Sequence, residues 1–240
     1  MVKTMIEAKN LAKRFGGRWV VGGVDLEVHK GETVALLGPN GTGKTTLMRM
    51  LGTLARPSLG TIRVNGYALP EQASQARMGL GFLGHQPMLY GDLSAEQNLS
   101  FFANLYGIED VSQRVAEVLE IVGLHARRRD SVRIFSRGMQ QRLAIGRTIL
   151  HSPKVLLLDE PHTGLDHEAR RSLSGLLAEL AERGCSILFA SHDLEQSQEL
   201  ADRVLVLVDG QLVASLSGKE IQGANLVKVY ERFAGAKRGQ

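Results

Sequence analysis

Nine consecutive residues, Gly38-Pro39-Asn40-Gly41-Thr42-Gly43-Lys44-Thr45-Thr46, carry the spacing G-x-x-x-x-G-K-[ST]. That spacing suits a cradle for a chain of phosphates. With no Cβ at Gly38, Gly41 and Gly43, the backbone can turn its N–H groups inward toward anionic oxygens. Lys44 is then placed to reach the β- and γ-phosphates, and the Thr45 hydroxyl to take one position on Mg²⁺. Thr46 is expected to donate to the α- or β-phosphate. A second group of chemically able residues comes later. Asp159 and Glu160 end an apolar run, where Asp159 is suited to hold Mg²⁺ through its water shell and Glu160 to act as general base on an attacking water. Gln86 is a candidate for contact with Mg²⁺ or that water, and His192 for donation to the γ-phosphate. Phe15 is a candidate for stacking on a purine, with Trp19 a weaker one.

Such groups need rigid elements to hold them. Thr33 to Leu37 reads as a short buried strand and Lys44 to Leu51 as a helix, so the glycine loop spans a strand-to-helix turn and adds the helix N-terminus to the anion site. Val155 to Leu158 is four apolar residues in a row, which fits a parallel strand covered on both faces. Its acids fall at the carboxyl end, where open α/β sheets bind ligands. Ser186 to Ala190 reads as another such strand, ending in Ser191-His192, with helices from Asp166 to Arg183 and from Leu194 to Ala201. Before the loop, two alternating stretches in residues 6–34 predict antiparallel strands beside the site. Thr61 to Val64 and Met78 to Leu83 predict further strands, and Val204 to Val208 with Leu212 to Ala214 predict a hairpin around Asp209-Gly210.

Between Pro87 and Ser152 the pattern turns helical. Ser94 with Gln97 forms a capping box ahead of a helix to Tyr106, a second helix runs from Val111 to Val122, and a third from Ser136 to Leu150. Ser136 is an N-cap, and so a second helix end able to face an anion. A head-to-tail dimer would use both ends, each phosphate chain held between one subunit's loop and the other's Ser136 helix.

The composition restricts the alternatives. The formal net charge is +4 and the pI about 9.3, a mild excess that fits a phosphorylated ligand or an anionic membrane surface and does not call for nucleic acid. Arg127-Arg128-Arg129 reads as a solvated loop, and Ala234 to Gln240 as a frayed basic tail. The one cysteine, Cys185, sits before an apolar run and reads as a small core residue without a disulfide. No apolar run approaches the roughly 20 residues of a membrane span, and the first residues carry no signal-peptide apolar region. A cytoplasmic protein is expected.

Taken in order, these pieces resemble the nucleotide-binding domain of ATP-binding cassette (ABC) transporters over nearly the whole chain. The phosphate loop, Gln86, the signature Ser136-Arg137-Gly138-Met139-Gln140, Asp159-Glu160, Thr163-Gly164-Leu165-Asp166 and His192 each match. Arg137 and Met139 stand where the family signature usually has Gly and Gln, and His162 is unusual for its position. The resemblance implies an α/β fold: a P-loop ATPase core with an antiparallel β subdomain (residues 1–86 and 153–240) and an inserted α-helical subdomain (87–152). It implies ATP and Mg²⁺ as ligands, Ser136 and Gly138 as contacts to the ATP of a second, identical subunit, and a transmembrane permease as partner. The site of action is then the cytoplasmic face of the membrane. The segments Gly84 to Pro87 and Leu89 to Leu99 further resemble haem-exporter ATPases of cytochrome c maturation, and also ATPases of drug and polysaccharide exporters. A soluble ABC ATPase of iron–sulfur cluster assembly is the alternative without a permease. A P-loop kinase is a third, opposed by the signature and His192.

Overall fold

The computed structural model describes residues 3–221 and 224–234. In chain order the elements are β1 (Thr4–Phe15), β2 (Arg18–His29), β3 (Thr33–Leu37), α1 (Lys44–Leu51), β4 (Leu59–Val64), β5 (Tyr67–Leu69), α2 (Ala73–Arg77) and β6 (Leu80–Leu83). There follow α3 (Ala95–Leu105), α4 (Val111–Ile121), α5 (Arg137–Ile149), β7 (Val155–Asp159), α6 (His167–Glu182) and β8 (Ser186–Ser191). The last are α7 (Leu194–Leu200), β9 (Arg203–Val208), β10 (Gln211–Ser217) and α8 (Ala224–Ala234).

A six-stranded sheet in the order β10-β9-β3-β8-β7-β6 forms the centre, and a four-stranded sheet, β2-β1-β4-β5, lies beside it. In the first, β9, β3, β8, β7 and β6 run parallel, and β10 turns back against β9. Every residue of β3, β7 and β8 is buried, which is why these segments are apolar throughout. Successive residues serve opposite faces. Leu36, Leu157 and Leu188 pack toward α1 and the antiparallel sheet, whereas Leu37, Leu158 and Phe189 pack toward α3, α4, α5 and α6. A slip of one residue would exchange the two sets. Truncating a fully buried side chain such as Phe189 to Ala costs about 3–5 kcal/mol.

The antiparallel sheet follows the alternating code. Along β2, Val24, Leu26 and Val28 are buried and Asp25 and Glu27 are not. Helices α3, α5 and α6 begin at side-chain caps: Ser94 and Gln97 make a reciprocal capping box on α3, Ser136 accepts from Met139 N (3.2 Å), and Asp166 accepts from Ala169 N (2.8 Å).

Three differences from the sequence reading have local causes. The strand expected from Met78 begins at Leu80, because Ala73–Arg77 forms the short helix α2 and Met78 caps it. The final hairpin is longer than Leu212 to Ala214, since β10 pairs with β9 as far as Ser217. Helix α8 has no counterpart in the expected elements. Its Leu226 is fully buried in the core that β9 shares, a burial that periodicity over so short a segment does not announce. The expected basic tail lies, beyond Ala234, outside the described residues. Among those described, no helix is long and apolar enough to cross a membrane.

Candidate functional site

The carboxyl ends of β3, β7 and β8 lie side by side. The parallel register therefore gathers Gly38, Asp159 and Ser191-His192 at one edge of the sheet. A cleft of about 500 Å³ opens there, lined by the loop residues Asn40, Gly41 and Gly43 to Thr46 with Asp159, Glu160, Thr163, His192, His85 and Val20.

The loop is shaped by close approaches. A Cβ on Gly38 would lie 2.2 Å from Leu207 O, and one on Gly43, at φ +102°, 2.5 Å from Val20 O. Glycine is therefore required at both. Lys44 is buried, and its Nζ donates to Gly38 O (2.5 Å) and Pro39 O (3.1 Å). Burial pushes its ammonium below the usual lysine range, while the nearby Glu160 and Asp159 carboxylates partly restore it.

Thr45 Oγ1 donates to Asp159 Oδ2 at 2.9 Å, across 114 residues of sequence. The two hard oxygen groups meet beside the lysine, a donor set that suits Mg²⁺ on a phosphate chain. Glu160, at φ +56°, leaves the strand direction, and its N–H bonds Ala190 O (3.0 Å). Its carboxylate Oε2 lies 2.8 Å from His192 Nδ1. The cleft thus combines a glycine cradle, a cation, a pair of oxygen ligands and a carboxylate-imidazole pair. Those are the parts that binding and hydrolysing a nucleoside triphosphate require.

A family model described as ABC transporter matches residues 21–163. The chain belongs to that family. This cassette is an ATPase, and ATP with Mg²⁺ is its ligand, for which the cradle, Lys44 and the Thr45–Asp159 pair are a fit. It is 35% identical over 88% of its length to the linearmycin resistance ATP-binding protein of Bacillus subtilis, of which it covers 68%. It is 36% identical over 94% of its length to a Nod factor export ATP-binding protein of Cupriavidus metallidurans, covering 77%, and 36% identical over 98% to a daunorubicin resistance ATP-binding protein of Streptomyces coeruleorubidus, covering 76%. Among solved structures, an ATP-binding subunit of an ABC transporter superposes with a TM-score of 0.89 at 29% identity, over 96% of this cassette and 99% of that chain. These relatives bear drug-resistance and Nod-factor names, so the comparisons do not support the finer resemblance to haem exporters.

Several expected residues stand elsewhere. Gln86 is exposed and absent from the cleft lining, where its neighbour His85 is found instead. The reason is local: β6 ends at Leu83, and the irregular turn after it presents residue 85 to the cleft. Phe15 is 54% exposed at the end of β1, with Lys13 Nζ 5.0 Å from its ring centre. Trp19 instead lines a cavity of about 410 Å³ with Arg18, Gly41 and Asp209. Ser136 and Gly138, expected at the ATP of a second subunit, lie outside the cleft lining of their own chain. Arg137 packs on Gly164, and Gln141 Nε2 donates to Pro161 O (2.9 Å), tying the start of α5 to the segment after β7. Val20 and Thr163 were not singled out for the cleft by sequence. Val20 carries no chemical signal, since it enters through the fold of β2 over the loop, whereas Thr163 follows Glu160 closely enough to have been suspected.

His162 is buried, with both ring nitrogens unpartnered among the described residues, and lies edge-on to Phe189 (centroids 6.5 Å). Burial lowers its pKa to about 4, helped by Arg170, with Asp193 opposing.

Proposed function

We propose that this cassette is the ATP-hydrolysing, energy-coupling subunit of an exporter whose cargo is a drug-like or Nod-factor-like molecule. The relatives' names support that cargo class, and the Glu160–His192 pair at the cleft is the observation that carries the catalytic reading.

In this reading the loop N–H groups and Lys44 hold the phosphates, while Thr45 and Asp159 hold Mg²⁺, with Gln86 approaching from the junction of the core with the inserted segment. Bound Mg²⁺ would neutralise charge on the phosphates. Glu160 accepts the proton of the attacking water. His192 orients that carboxylate and donates toward the γ-phosphate. Trp19, with Phe15 nearby, offers a ring face to the base.

Ser136 and Gly138 do not line the cleft of their own chain, which supports completion of the site by a second copy in head-to-tail fashion, Ser136 and Gly138 contacting the partner's ATP. Dimeric structures are known for the cassette MJ0796, 25% identical here, one of them bound to ADP and Pi. Residues 87–152 form the moving subdomain, and 1–86 with 153–240 the ATPase core. The exposed Tyr90 and Phe101 rings, 5.3 Å apart on the inserted segment, are offered to a transmembrane permease at the cytoplasmic face. Copurification of a polytopic membrane protein with the cassette from gently solubilised native membranes tests the assignment. A purely soluble set of partners would redirect it to iron–sulfur cluster assembly.

A further inference from the structure

At the opposite edge of the central sheet lies a second cavity, of about 600 Å³. It sits at the amino ends of the parallel strands, where Lys154 precedes β7, Cys185 precedes β8 and Lys30 lies before β3. The nucleotide cleft is one strand length away, roughly 16 Å. The walls come from both halves of the chain: Ile121 and Ile149 from the helical insert, Met5, Leu176 and Leu180 from the core.

The floor is apolar. Met5 and Ile149 are each 3% exposed and Cys185 6%, and burial holds the Cys185 thiol neutral, its pKa pushed up to about 12. The rim is cationic. Arg114 is committed to Leu150 O (2.8 Å), Ile149 O (3.0 Å) and Glu117, and Arg183 pairs with Glu179. Lys3, Lys30 and Lys154 have no anionic partner among the described residues. Backbone pairing sets two of them together, since Lys30 N donates to Lys3 O (2.9 Å). Lys30 also lies over Gly184, its Cε 3.0 Å from where a Cβ would stand.

A structural explanation for these cations is the set of helix carboxyl ends at the cavity, those of α4, α5 and α6. Each such end carries about half a negative charge. Three ends offset one and a half of the three ammonium groups, and Arg114 already serves the carbonyls of α5. A positive excess remains over an apolar floor.

The geometry points to a binding site for a small amphipathic anion, a carboxylate or phosphate head on an apolar chain, wedged between the helical insert and the ATPase core. The head meets Lys30, Lys154 and Lys3, and the chain lies on Met5, Cys185 and Ile149. The volume is that of a single small-ligand pocket. Because the walls belong to both halves, an occupant resists their relative movement and so acts on turnover without touching the nucleotide.

The test is titration calorimetry of the full chain with dodecanoate, with dodecanol as its uncharged counterpart, and with the Lys30→Ala/Lys154→Ala variant. The expected result is one dodecanoate per chain, affinity lower by about tenfold in the variant, and weaker binding of dodecanol. Unchanged MgATP binding and circular dichroism in the variant establish that it is folded. Failure of the unaltered chain to bind dodecanoate, equal binding by the variant, or equal binding of dodecanol would overturn the site. So would lysine-dependent sedimentation with phosphatidylglycerol vesicles in a chain that leaves free dodecanoate unbound, since the cations would then serve a membrane surface.

Discussion

Glu160 Oε2 and His192 Nδ1 lie 2.8 Å apart, although 32 residues separate them in sequence. The contact exists because β7 and β8 are parallel neighbours in register, Asp159 opposite Ala190. Each residue of the pair directly follows one of these strands.

Glu160→Gln keeps the shape of the side chain and removes the base. ATP binding should persist while turnover falls by about 10²–10⁴-fold, and ATP-bound dimer should accumulate. His192→Ala should lower kcat as well, and the double variant should lose little more than the worse single one, as residues acting as a unit do. Steady-state kinetics with size-exclusion chromatography reads both, and normal hydrolysis by Glu160→Gln would remove the base assignment.

Lys44→Ala takes the cation out of the cradle. Equilibrium binding of ATP should weaken sharply, and an unchanged affinity would contradict the phosphate-loop reading. The variant should nonetheless fold, because Nζ bonds only loop carbonyls.

Gly38→Ala acts on the backbone. The new methyl falls 2.2 Å from Leu207 O, a backbone atom that cannot rotate away. A loss of about 1–3 kcal/mol in urea unfolding is expected, as for overpacked cores, together with weaker ATP binding. Gly175→Ala, with nothing within 4 Å on the exposed side of α6, is the matched control and should be neutral or stabilising.

Trp19 is the only tryptophan, so its fluorescence reports on the cavity it lines. MgATP should change the emission. Trp19→Ala should weaken ATP binding by about 1–3 kcal/mol if the ring stacks on the base; a silent signal with affinity lost only in Phe15→Ala would transfer the role to Phe15.

Acid should destabilise the fold through two imidazoles, His162 buried and His151 half-buried. His151, stacked on Tyr106 with centroids 3.9 Å apart, and His162 both have pKa values lowered to about 4, chiefly by burial. Their unfolded forms titrate near 6.5 and bind more protons, so stability is intact above that pH and falls as pH drops toward 4. The loss approaches about 3 kcal/mol for each group. His162→Phe should flatten this acid limb in pH-dependent urea unfolding, and an unchanged limb would refute the assignment.

Much of the site was legible in sequence because its parts are local. The loop spacing, the acids ending an apolar run, and the Ser94 and Ser136 caps each act within a few residues, where residue type constrains backbone directly. The buried strands were legible for the same reason, since a segment covered on both faces must be apolar throughout. What tertiary structure alone decided was which strand ends meet. Pairing β8 between β3 and β7 put Thr45 against Asp159 and Glu160 against His192. The lysines around the far cavity are ordinary surface residues in sequence. They become a cluster only because parallel strands that gather one set of ends at the nucleotide must gather the other set opposite, where helix ends and strand starts converge.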